Sequence, residues 1–198
     1  MTYQTILAIA LFSFVGSVSP GPSNFMLLAS GTNFGFRRTL PQIFGITIGL
    51  SSVLLAVGFG LGALIHAYPP VGLLLKIAGS AYLLYLAWRI AMSRAVASGE
   101  TAASRPLTFL ESAAFQWVNP KAWVAALTAM AAYASDESPF VSVLAITLVI
   151  AIVNLPSVAV WAGFGMALRT FLTDPIRLKW FNIVMGLLLV ATLWPLMM

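Results

Sequence analysis

Between Ile6 and Ser30 the chain carries no charge, and the middle of that run reads Ser17-Val18-Ser19-Pro20-Gly21-Pro22-Ser23-Asn24. An apolar run of this length favours one helix, and the two prolines forbid it. Pro20 has no N–H for the carbonyl of Gly16, and Pro22 has none for Val18. Ser19 and Gly21, each preceding a proline, are pushed out of the helical region. The sequence predicts a broken helix that restarts with Pro22 in its first position, so that the amides of Ser23, Asn24 and Phe25 lack intrahelical partners. In hydrocarbon such a break survives only where protein or a water-filled cavity satisfies the bare groups.

The same device returns about a hundred residues later. Trp117-Val118-Asn119-Pro120-Lys121 interrupts the apolar run Phe109 to Ala134. Pro120 frees the carbonyl of Gln116, and Asn119 suits the N-cap of a helix restarting at Pro120. Paired broken helices at matching places in two halves point to a transporter's binding site.

Composition fixes the solvent. Of 198 residues, 61% are hydrophobic and 8% charged, where a soluble domain carries about 25% charged residues. With about 20 apolar residues per crossing, the chain holds six spans, placed at 3–30, 41–66, 71–93, 109–134, 140–168 and 178–197. There is no cysteine, which removes thiol chemistry. Met1 to Thr5 carries no Lys or Arg, so the first run reads as a retained span rather than a signal peptide.

Eight of the ten Lys and Arg sit at the first, third and fifth connections: Arg37, Arg38, Arg89, Arg94, Arg105, Arg169, Arg177 and Lys179. The positive-inside rule puts those connections in the cytoplasm and both termini outside. Three spans then separate the two breaks, which inverts the second half relative to the first. The expected fold is an all-α membrane protein of six transmembrane helices in two inverted three-helix repeats, with helices 1 and 4 broken and a proline kink in helix 5. It forms one transmembrane domain over 1–198: half 1 at 1–93, a cytoplasmic linker at 94–108, half 2 at 109–198. A re-entrant first segment with five spans is the competing topology.

Lys121 is the most informative single residue. A lysine at mid-membrane costs about 3 kcal/mol on insertion scales. It reads as a counter-ion for an anionic substrate group, or as a lysine that snorkels or pairs with structural carbonyls. A cation in a helix's first turn opposes the dipole, which favours an anion nearby. Asn154-Leu155-Pro156-Ser157 interrupts the fifth span and frees the Ile152 carbonyl, as a structural kink or as part of a substrate path. Lys76, near a span end, reads as snorkelling. Gly45/Gly49 and Gly58/Gly62 have GxxxG spacing, which suits packing inside the bundle better than dimerisation. Trp117 and Trp123 shape a cavity or fill the core. His66 stands alone, and Glu100, Glu111, Asp136, Glu137 and Asp174 fall at loops or span ends. No pattern for an enzyme, a metal, a cofactor or nucleic acid is visible.

Ser19-Pro20-Gly21-Pro22, Gly35-Phe36-Arg37-Arg38, Gly45-Ile46-Thr47-Ile48-Gly49, Tyr82-Leu83-Leu84-Tyr85-Leu86-Ala87-Trp88 and Asn119-Pro120-Lys121 resemble the LysE/RhtB family of amino-acid exporters, nearer the RhtB-like branch that includes cysteine and O-acetylserine exporters. The resemblance covers nearly the whole chain. It implies export of an amino acid or close derivative across a bacterial inner membrane, driven by a coupling ion. No carboxylate stands at mid-membrane to carry a proton; Lys121, the substrate, or Glu111 from the inner end are the options.

The expected site lies between the breaks. Lys121 and the amides of Lys121, Ala122 and Trp123 meet the substrate carboxylate, with amides from Ser23 to Phe25. The carbonyls of Gly16, Val18 or Gln116, with Asn24 and Asn119, meet its ammonium. Pro20, Gly21, Pro22 and Pro120 build the breaks, and Asn154 and Pro156 extend the path. One mid-membrane lysine and no acid favour a neutral or small polar cargo over a dibasic one. The other readings are a non-transporting subunit of another complex and a transporter of a different small solute. The expected partners are the cargo, the coupling ion and the bilayer, with homo-oligomers left open.

Overall fold

The computed structural model describes residues 1–62, 67–93, 105–135 and 137–193, and the secondary structure among them is all helix, with no strand. In chain order the helices are α1 (Tyr3–Val18), α2 (Pro22–Phe34), α3 (Phe36–Ala56), α4 (Pro69–Ala91), α5 (Phe109–Val118), α6 (Pro120–Tyr133), α7 (Pro139–Leu168) and α8 (Pro175–Ala191). A π-helical turn, Val57–Leu61, follows α3, with Gly60 at φ 105°. Starts are set by local chemistry. Thr2 accepts from the Thr5 amide, Asp174 from the Ile176 amide, and Thr108 and Glu111 close a capping box on α5.

Both expected breaks are present. Pro22 opens α2, and α1 and α2 meet at 59°. Asn119 separates α5 from α6, and Pro120 opens α6. Among the described residues three helices are long and apolar enough to cross a membrane, Phe36–Leu61, Gly72–Ala91 and Pro139–Leu168, and the bent α1–α2 pair makes a fourth if it forms one span. At 10 and 14 residues, α5 and α6 are each too short to cross a core about 30 Å thick alone.

Three differences from the sequence reading have simple causes. The fifth span is not broken: α7 runs through Pro156 without interruption. Pro156 is exposed, and the Ser157 hydroxyl bonds the Val153 carbonyl beside the gap. The second span starts earlier than expected, at Phe36, because Gly35 at φ 81° turns the chain directly from α2 into α3. Arg37 and Arg38 therefore lie in a helical first turn rather than in a loop. Linker residues 94–104, with Arg94 and Glu100, lie outside the described residues, as do His66, Asp136 and the end of the last expected span beyond 193.

Glycines set how closely the helices approach. A Cβ at Gly31 would meet the Ala162 carbonyl of α7, and one at Gly165 the Leu28 carbonyl of α2. On the other side of the bundle, a Cβ at Gly45 would meet the Phe109 carbonyl of α5. One at Gly49 would stand 2.6 Å from the Ala113 carbonyl oxygen. The GxxxG spacing of α3 thus serves packing inside the bundle, as the small-residue rule for membrane helices allows. Apolar clusters lie on both sides of these seams. One is built on Ile9, Val53, Ala126 and Ile146, another on Leu27, Ile43, Ile46 and Ala162, and a third on Met26, Leu83, Phe115 and Leu189.

Two glycines of α7 test the α2–α7 seam. A methyl group on Gly163 would meet nothing within 4 Å, whereas one on Gly165 would run into the Leu28 and Thr32 backbone. Gly165→Ala is expected to destabilise by about 1–3 kcal/mol through overpacking. Gly163→Ala is expected to be neutral or to stabilise by up to about 1 kcal/mol. Melting curves of the two variants in detergent read the difference. Identical curves would mean that α2 and α7 are not in close contact.

Candidate functional site

The two breaks face each other, and one lysine joins them. The Lys121 ammonium, from the first turn of α6, donates to the Ser19 carbonyl at 2.6 Å, the Ser19 hydroxyl at 2.9 Å and the Pro20 carbonyl at 3.3 Å. The two carbonyls belong to the backbone that the first break takes out of the helix. Gly21 makes room for this reach: a Cβ there would stand 3.0 Å from both Cδ and Nζ of Lys121. Every acceptor on the ammonium is neutral. Among the described residues no carboxylate forms an ion pair with it, so its positive charge is solvated by dipoles and left uncompensated.

Other carbonyls at the breaks, though not that of Val18, are met locally. The Ser19 hydroxyl donates to the Gly16 carbonyl. The Asn24 amide donates to the carbonyls of Ser17 and Ser19, both at 2.8 Å. At the second break the Asn119 N–H meets the Gln116 carbonyl, and the Trp123 indole meets the Trp117 carbonyl at 2.6 Å. This corrects the expectation of free amides. The Asn24 and Phe25 amides donate to the Gly21 carbonyl. Those of Ala122 and Trp123 donate to the Asn119 carbonyl, and that of Lys121 to the Asn119 side chain. Each cap residue, Gly21 or Asn119, offers its own carbonyl to the restarting helix, and of the amides expected to be free only that of Ser23 keeps no hydrogen-bond partner.

Between the breaks lies a cavity of about 80 Å³. At about 10–15 Å³ per water it holds five or more waters, comparable to the heavy atoms of a small amino acid. Of the sequence-predicted residues, Gly16, Ser23, Asn24, Gln116, Asn119, Lys121 and Asn154 line it. Val18, Pro20, Gly21, Pro22, Pro120 and Pro156 do not. The prolines and Gly21 shape the backbone, whereas Val18 and Pro156 are exposed away from the cavity. The polar wall is a connected network. The Gln116 and Asn119 amides both donate to the Ser23 hydroxyl at 3.2 Å, and Asn119 also donates to Gln116 Oε1. Asn154 donates to the Ser17 hydroxyl at 2.8 Å and accepts from Thr47 at 3.0 Å, tying α7 to α1 and α3.

Sequence reasoning missed Ser13 and Ser17, and the apolar wall of Phe12, Ile46, Leu50, Leu54, Ala125 and Ile150. The signal for the serines was their four-residue spacing on the face of α1 that runs into the break. The apolar wall carries no mark that separates it from ordinary core. Trp117 and Trp123 do not line the cavity; they stack edge to face at 6.1 Å, and Trp117 donates to the Ser52 hydroxyl. Glu111 is not there either. It binds Arg89 and Arg105, both at 3.0 Å, at the start of α5. No group of three or more His, Cys, Asp or Glu suited to a metal occurs among the described residues.

Comparison with known proteins places the chain in a family. The model of the family described as "LysE type translocator" matches residues 14–192. The cysteine/O-acetylserine efflux protein of Escherichia coli (strain K12) is 30% identical over 192 residues, covering 96% of each chain. The protein of the same name from Shigella sonnei (strain Ss046) is also 30% identical over the same share, and that of Escherichia coli O139:H28 is 29% identical. No solved structure matches the chain. By a family match over nine-tenths of its length and full-length relatives at this identity, the chain belongs to the LysE type translocators.

Proposed function

We propose that this membrane translocator exports a neutral or small polar amino acid, or a close derivative, with the cargo carboxylate on Lys121. The observation that carries this reading is the uncompensated Lys121 ammonium, held by three neutral acceptors at the wall of a cavity of amino-acid size. A carboxylate entering there gains a charged partner in a site of low dielectric. Ser17, Asn24 and Asn154 supply the polar contacts for the ammonium end, and the apolar wall takes a short side chain. The lack of a carboxylate at the cavity wall disfavours a second positive charge on the cargo. Cargo of the kind named in the relatives, cysteine or O-acetylserine, meets each of these requirements.

The proposed topology is six spans in two inverted halves, 1–93 and 109–198, within one domain of the bacterial inner membrane. Both termini lie outside, and a coupling ion is exchanged for cargo. Helix packing supports a two-fold relation between the halves. The second helices of the two halves, α3 and α7, pack on each other, as do the third helices, α4 and α8. Each broken helix packs on the second helix of the opposite half. Charge alternation along the connections supports the orientation. Alternating access then moves one half against the other about the Lys121 contact.

Counterflow in proteoliposomes loaded with O-acetyl-L-serine tests the reading. Lys121→Met removes a charge-assisted contact worth about 1.5–3 kcal/mol, so exchange is expected to fall about tenfold to a hundredfold. Unchanged exchange by a folded, inserted variant would remove Lys121 from the site. No exchange by the wild-type protein with any amino acid would favour another small solute or a non-transporting subunit.

Gly21→Ala is a subtler probe. Its φ of 179° is extended backbone open to any residue, so the methyl does not strain the chain. It crowds Lys121 instead. Exchange is expected to drop several-fold while the melting temperature stays within a few degrees of wild type. A variant with wild-type exchange would show that the lysine does not need its observed position.

A further inference from the structure

A second cavity, of about 40 Å³, lies further along α2 and α3 on the side of the arginine-rich connections. One face of α3 lines both cavities: Gln42 in this one, then Ile46, Leu50 and Leu54 in the first, each four residues on. The step from Gln42 to Ile46 is about one helical turn, roughly 6 Å. The two cavities are thus successive along one seam, and the second lies nearer the end that carries Arg37 and Arg38.

Its lining holds unspent polar groups. Gln42 is 1% exposed, and neither its amide nitrogen nor its carbonyl oxygen has a partner. The Ser93 hydroxyl, in a residue 5% exposed, is also unpartnered. The large majority of buried side-chain polar atoms are paired, and an orphan costs about 1–3 kcal/mol. A donor and an acceptor left bare on one side chain call for a ligand with both characters. The other polar liners are engaged: Asn33 is paired with Asn182, and Ser30 with Thr39. Beside Gln42 stand Arg89, buried at the wall, and Arg105. They share one carboxylate, Glu111. Two guanidiniums and one carboxylate leave one net positive charge and several unused N–H donors.

We propose that this cavity is a second, inner subsite for the same cargo, which takes the amino acid's charged end before it reaches Lys121. The carboxylate meets the arginine pair and the Gln42 amide N–H, and the ammonium meets Gln42 Oε1 and the Ser93 hydroxyl. At about 10–15 Å³ per water the space holds about three waters, enough for the cargo's carboxylate, with the ammonium at the edge of the space, and not for a bulky side chain. The Glu111 contact on Arg89 is the one that an arriving carboxylate loosens. The assignment rests on the export reading for the identity of its ligand, and its test separates the two.

The chain has no cysteine, so Ser93→Cys places a single thiol in this cavity. In membrane vesicles of each orientation, a charged methanethiosulfonate reagent is expected to modify it only from the side bearing Arg37 and Arg38. O-acetyl-L-serine should slow that modification, and serine methyl ester, which lacks the carboxylate, should not. Adding Gln42→Leu, which removes the orphan atoms without threatening the fold, should raise the half-protecting concentration about tenfold. Protection should survive Lys121→Met, which empties only the central site. The subsite is overturned by an unreactive thiol, by absent protection, by equal protection from the ester, or by protection that disappears with Lys121→Met. Intact protection in a protein that exchanges no amino acid would overturn the export reading and leave the subsite standing.

Discussion

The contact of Lys121 with the Ser19 and Pro20 carbonyls is the interaction on which the rest of the site depends. A helix broken in hydrocarbon exposes carbonyls that lipid cannot satisfy. An ammonium at the same depth lacks the water it would otherwise have. Each is the remedy for the other. Each break draws on the other: without Lys121 the Pro20 carbonyl loses its donor, and without the first break the ammonium loses all three of its acceptors. The contact spans 102 residues of sequence and ties the N-terminal half to the C-terminal half at the cavity wall.

The glycine seams make that contact reachable. Backbone-to-backbone approach of α2 to α7 and of α3 to α5 narrows the bundle on either side of the breaks. The helix starts at Pro22 and Pro120 are thereby brought within one lysine's length of each other. The polar residues then form two small networks rather than a scatter. Ser23, Gln116 and Asn119 hold α2 against the second break. Ser17, Asn154 and Thr47 hold α1, α3 and α7 together. In a bilayer such hydrogen bonds average only about 0.6 kcal/mol each, so their part is to orient groups around the cavity rather than to carry the fold.

Much of this was legible in the sequence, for reasons tied to covalent structure. Proline's missing N–H and fixed φ placed both breaks and both helix restarts to the residue. Glycine spacing marked the close face of α3. What failed was the fate of the freed groups. Whether an amide at a helix start is open depends on whether the cap carbonyl reaches back, which is a matter of one ψ angle. Gly21 and Asn119 both reach back. Pro156 failed differently, since a proline inside a long helix does not by itself break it when the missing bond lies on the exposed side. Gln42 stands out in the sequence only as an amide in an apolar helix, and the surrounding packing alone shows that it has no partner.

Within the export reading, the lysine contact has a further consequence. In the empty site the ammonium is satisfied by backbone carbonyls of the other half, so a carboxylate must compete with them. A charged acceptor is about twice as strong as a neutral one, and the exchange is favourable without being deep. Cargo that takes the ammonium also removes the tie between Pro20 and α6. The half that carries α1 and α2 is then freer to move against the half that carries α6, and it is held again when the cargo leaves. A translocator needs binding and motion to be coupled, and here one lysine serves both because its resting partner is the backbone of the element that must move.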